Sequence, residues 1–264
     1  MHPRRRRNII LGASGVSYDA DAQALFARMT TQPNATRKGI INDLILGLKA
    51  DGNWTQLDVL VILAAHTSQA ALLDWKNLQD GAEVLAPAFV ADRGYTSDGA
   101  TSYINTQFNP STDAVLFTQN DASCGIYSRT DSTILVMLAL TDATSNGTLI
   151  NPRNSGNNFS RRLNSDTFKV SANATSLGFF SINRTVNNLY DGLINGVSQG
   201  TQADISQALL NDNYYFLCWN KIGTGANAFS NKQGAMYFFG SGSLNHLTFY
   251  NRIQTYMTAI GAQV

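Results

Sequence analysis

One glutamate, two cysteines, three histidines and five prolines occur in 264 residues, and each scarcity excludes something. Glu83 is the sole glutamate among 18 acidic residues. Glycoside hydrolysis needs two carboxylates flanking the scissile bond. No predicted strand carries two acids at i, i+2 or i, i+4, and Glu83 lies ahead of the strand-rich region. His2, His66 and His246 form no nucleophilic triad, and no Gly-x-Ser-x-Gly elbow is present. The chain is therefore expected to be no enzyme. Cys124 and Cys218 are too few for a disulfide framework or a zinc site and are read as reduced, apolar cysteines in strands, with a single long-range bridge as the alternative. No apolar run approaches the length of a membrane span. Charged residues make up only 14% of the chain, too few for a disordered or nucleic-acid-coating protein.

The formal net charge is +1, and its placement is uneven. Arg4, Arg5, Arg6 and Arg7 form a short basic arm; without them the remainder is mildly acidic. Ile9, Ile10 and Leu11 follow the arginines, an apolar stretch too short for an export signal. Gly12-Ala13-Ser14-Gly15 lacks the Lys of a phosphate loop and reads as linker. One short basic run is a poor nucleic-acid footprint. Docking on a protein neighbour suits the arm better, with a solvated tail as the alternative.

Two grammars follow. Residues 19–85 read as a helical anchor: Asp19 or Asp21 caps a first helix that Pro33 closes, and Ile40, Ile41, Leu44, Ile45 and Leu48 share one face of a second. Asn53 and Gln56 resemble a capping box, so Leu57–Ala65 is expected to be a third, buried helix, and Ser68 to cap a last piece. From 86 to 264, short apolar runs alternate with Gly, Asn, Ser and Thr, the pattern of an all-β sandwich. Strands are predicted at Ser102–Thr106, Ala114–Thr118, Gly125–Tyr127, Ile134–Leu140, Phe168–Ser171, Ser176–Ile182, Asn188–Leu193, Tyr214–Trp219 and Gly234–Gly240. Asn195-Gly196 marks a type I′ hairpin, and Thr144–Asn158 reads as a surface loop. A C-terminal helix carries Leu244, Leu247, Tyr250, Ile253, Met257 and Ile260, with Ser243 as its cap and Gly261 at its end.

Four stretches resemble concanavalin-A-like jelly rolls of the laminin-G-like branch. They are Asp98 to Pro110, Gln119 to Arg129, Leu189 to Val197 and Tyr250 to Met257, in that order along two thirds of the chain. With a helical segment in front, the pattern is similar to virion structural proteins of tailed bacteriophages. The resemblance implies a mainly β jelly-roll sandwich closed by a C-terminal helix, located in the virion as capsid decoration or as a tail or fibre component. Other virion proteins would be its partners, in a homo-oligomer or symmetric array without membrane contact. It also implies a host-surface glycan as ligand, with Tyr190, Trp219 and Asn183 as the binding candidates and Tyr214 and Tyr215 as further rings. No cofactor or metal is expected; one rim calcium is the alternative, for which Asp98, Asp121 and Asp191 are the loop carboxylates. The alternative is a free-standing lectin or receptor-binding module.

Overall fold

The computed structural model describes residues 17–264 except Leu135, so the arginine arm lies outside the described residues. The chain opens with α1 (Ala20–Arg28) and α2 (Ala35–Ala50). The Asp19 carboxylate accepts from the N–H of Asp21 and the Asn34 side chain from that of Arg37, satisfying N–H groups that a helix start leaves orphaned. Gly52, at φ +74°, carries the chain out of α2.

The expected third helix is a strand. Leu57–Ile62 forms β1, and all six of its residues are buried. A short, continuous apolar run is the same signal for a buried helix and a buried strand. Val59, Val61 and Ile62 are β-branched and suit the pleat. After β1 come α3 (Ser68–Leu72), β2 (Ala82–Val84), β3 (Ala88–Val90), β4 (Gly94–Thr96), β5 (Tyr103–Asn105) and β6 (Ala122–Ser128). Next are β7 (Leu138–Thr141), β8 (Gly147–Asn151), β9 (Asn158–Ser165), β10 (Lys169–Ala172), β11 (Gly178–Val186) and β12 (Leu189–Ile194). The chain ends with β13 (Val197–Ala203), β14 (Tyr215–Phe216), β15 (Trp219–Lys221), β16 (Gly225–Asn227), β17 (Gln233–Gly240) and α4 (His246–Ala259).

These strands form two sheets facing each other. The eight-stranded sheet runs β13-β12-β11-β6-β17-β4-β3, with β1 also on β17. The nine-stranded sheet runs β10-β9-β8-β7-β14-β5-β2, with β15 and β16 joined to β7. All pairs are antiparallel except β15 on β7. Inner faces share one core, where Phe108, Phe117, Tyr214 and Phe239 meet edge-on and stacked. Outside the eight-stranded sheet, α4 packs Phe249 against Phe179 and Phe238.

Residues 19–85 do not stand apart from this sandwich. β1 pairs with β17, β2 pairs with β5 of the other sheet, and α1 and α2 contribute Phe26, Leu44 and Leu48 to the common core. Residue 86 falls where the chain crosses from one sheet to the other.

Smaller expectations also change. Ala114–Thr118 is no strand, because the buried Asp58 carboxylate takes the N–H groups of Leu116 and Phe117 at 2.7–3.0 Å. The expected loop 144–158 contains β8, whose Leu149 and Ile150 face opposite sides of the sheet. Thr67 caps α3 in place of Ser68, and Asn245 caps α4 in place of Ser243. Asn195 and Gly196 do turn β12 into β13, both at positive φ (52° and 76°). Cys124 and Cys218 are buried and free, the first in β6 and the second between β14 and β15.

Candidate functional site

A strand shows alternate residues to opposite faces. In β12 that alternation turns Tyr190 inward. Its ring is 1% exposed, and its hydroxyl donates to the carbonyl oxygens of Thr167 (2.7 Å) and Arg161 (3.2 Å) across the sandwich. Burial pushes that hydroxyl's pKa up. Tyr190 therefore braces the two sheets and offers no ring to a ligand. Tyr214 is buried likewise, while Tyr215 packs on Tyr103 with centroids 4.5 Å apart.

The residues beside Tyr190 face outward. Asn183 on β11, Asp191 on β12 and Thr201 on β13 form a row across three strands. With Leu189 and Val186 they line a small hollow of about 150 Å³. Asn183 Oδ1 is buried there without a hydrogen-bond partner. Tyr190 borders it too, but with its ring turned inward and buried.

Trp219 stands elsewhere, on the outer face of the nine-stranded sheet. Leu138, Leu140, Ile150 and Phe159 belong to the central core, whereas Ala139 and Leu149 form a separate cluster with Val136 and Trp219. The indole N–H donates to the Thr141 hydroxyl at 2.6 Å, which fixes the ring's orientation on the sheet. Phe168, Val170, Leu149, Asn151 and Ser160 complete a cleft of about 350 Å³ with Trp219. Phe168 is 44% and Val170 52% exposed, so apolar surface stays open to solvent. A broader depression of about 640 Å³ along α4 is lined by that helix alone.

Arg162 lies beside this cleft. On β9, Phe159, Arg161 and Leu163 face the core, leaving Ser160 and Arg162 on the outer face, where Arg162 pairs with Leu149. The Arg162 guanidinium is 4.2 Å from the Phe168 ring centroid and 5.7 Å from that of Trp219. The residue is wholly buried, and none of its three side-chain nitrogens has a hydrogen-bond partner. Burial lowers its pKa to about 10, so it remains a cation at neutral pH. An unpaired buried charge costs several kcal/mol, and a cation–π contact returns only about 0.5–2 kcal/mol. The rings alone do not offset that burial.

The three loop carboxylates are spread apart. Asp98 closes its own loop by accepting from the N–H groups of Ser102, Thr101 and Ala100 and from the Thr101 hydroxyl, which holds its pKa well below the usual range. Asp121 accepts from Ser241 and from the N–H of Gly242, and Asp191 from that of Gly192. Among the described residues, no three His, Cys, Asp or Glu side chains gather as a metal site. No helix among them is long and apolar enough to cross a membrane.

No protein-family model matches the chain, and neither does any curated protein. Among solved structures it is similar to the receptor-binding domain of the botulinum neurotoxin C/D mosaic serotype. That match has TM-score 0.51 and 12% identity, over 76% of this chain and 52% of that one. The likeness shows the fold. The ligand-binding domain of botulinum neurotoxin serotype D, in complex with N-acetylneuraminic acid, matches with TM-score 0.48 and 12% identity over 78% and 52%. Domain 4 of AbnA, a GH43 extracellular arabinanase from Geobacillus stearothermophilus, in complex with arabinotriose, matches with TM-score 0.44 and 14% identity over 75% and 98%. The chain spans about half the length of the neurotoxin domains it matches.

Proposed function

We propose that this protein is a non-catalytic carbohydrate-binding module whose sugar site is the Trp219 cleft. The observation that carries the reading is a half-exposed aromatic wall, Trp219 with Phe168, beside the polar side chains of Asn151 and Ser160 on a rigid sheet. Sugar rings present apolar C–H faces and hydroxyl edges, and amphipathic sites with a few placed polar groups suit them. The sandwich likeness to a neurotoxin receptor-binding domain supports a recognition role. The hollow at Asn183 is smaller, and the tyrosine that borders it keeps its ring buried.

The reading as a virion component has less behind it. The segment expected to grip a particle instead pairs with both sheets of the sandwich and adds side chains to its core. A glycan array probed with the full chain and with Trp219→Ala tests the proposal. Selective binding that the substitution removes supports it; a blank array, or binding indifferent to Trp219, overturns it.

A further inference from the structure

A neutral sugar would leave Arg162 as it stands, buried and unbonded. Two other arginines wholly or almost wholly buried in this sandwich behave differently. Arg161 donates to the carbonyl oxygens of Gly200 (2.7 Å) and Gln199 (3.2 Å), and Arg184 to those of Leu163 and Asn187 (both 3.0 Å). Where the fold uses a buried guanidinium structurally, backbone carbonyls receive it. Arg162 is the exception, and what surrounds it are the two aromatic walls of the cleft. Asp142 and Asp166 act on it through space, and neither bonds to it. No carboxylate lines the cleft to repel an anion. The ring that covers the guanidinium, Phe168, is itself 44% exposed, between β9 and β10.

We propose that the cleft takes a sugar bearing a carboxylate, which pairs with Arg162 when the Phe168 ring turns aside. The sugar ring then rests on Trp219, and the planar fork of the guanidinium receives both carboxylate oxygens. This proposal rests on the glycan reading and adds the ligand's charge to it.

The full chain would be titrated, by ligand-observed NMR, with methyl β-D-glucuronide, with the methyl glycoside of N-acetylneuraminic acid and with methyl β-D-glucoside. The first and last differ only in the carboxylate. At least one acidic sugar is expected to bind about tenfold more tightly than the glucoside, and which one distinguishes a uronic from a sialic source. Arg162→Met is expected to remove that advantage and Arg162→Lys to keep part of it. Arg162→Met is also expected to raise the thermal midpoint of the free protein, so that lost binding is not lost folding. Equal binding of acidic and neutral sugars, an acid preference that survives Arg162→Met (as contact with the arginine arm would), or a lowered midpoint in Arg162→Met would overturn the proposal. In those cases the glycan reading stands as long as Trp219→Ala abolishes binding; if Trp219→Ala changes nothing, both fall.

Discussion

The Trp219 indole donates to the Thr141 hydroxyl across 2.6 Å, joining β15 to β7, which among the described residues is the one parallel pairing of the sandwich. Thr141 is buried, so the bond is shielded from water and the ring is held in one orientation. Thr141→Val keeps the shape and removes the acceptor. The expected cost is about 1 kcal/mol of stability, the usual net value of such a bond. Glycan affinity should fall several-fold as the ring loosens. Urea unfolding and the array's best glycan measure the two effects.

Gly192 is tied to space rather than to backbone conformation. A Cβ there would lie 1.7 Å from Nε and 1.9 Å from Cδ of Arg161. Arg161 has little room to yield, since its guanidinium is held by the carbonyl oxygens of Gly200 and Gln199 and by the Ser171 hydroxyl. Gly192→Ala should destabilise the fold by about 1–3 kcal/mol, the range for overpacked cores. A denaturation midpoint equal to that of the parent would show that Arg161 can leave its position.

His246 predicts an acid response. It is buried as the first residue of α4, its Nδ1 is 2.9 Å from Ser181 Oγ, and burial pushes its pKa down to about 3. The unfolded chain takes up a proton near pH 6.5 and the folded one does not. The stability from neutral His246 is thus complete above about pH 6.5 and lost as pH falls toward 3, by about 1.4 kcal/mol per pH unit. Asp74 works in the opposite sense, because burial raises its carboxyl to about 6 and acidification from there toward 3.8 relieves a buried charge. The parent and His246→Asn should therefore differ by an amount that shrinks with acidification at that slope, with Asp74 cancelling from the comparison. A pH-independent difference in urea unfolding would contradict this assignment.

Periodicity made α1, α2 and α4 legible, and dense turn residues made the sandwich legible. β1 was not, because Leu57–Ile62 is buried on both sides, without an alternation to mark a strand, and only tertiary pairing with β17 decides its form. The sequence offers Tyr190 and Trp219 alike as candidate rings, and one residue of register decides which face each strand residue joins. Phe168 was missed, having been read as the first residue of a strand. A signal for the site did exist. Two consecutive arginines, Arg161-Arg162, within a strand place one guanidinium on each face, and only one of them can reach the sandwich interior.

The most direct test follows the indole N–H signals during titration with the tightest-binding glycan. Trp54 and Trp75 are each 5% exposed and sit in the core, whereas Trp219 is partly open at the cleft. Saturable movement of the Trp219 signal, with Trp54 and Trp75 unmoved, is the expected result. Saturable binding that leaves the Trp219 signal in place would contradict the account.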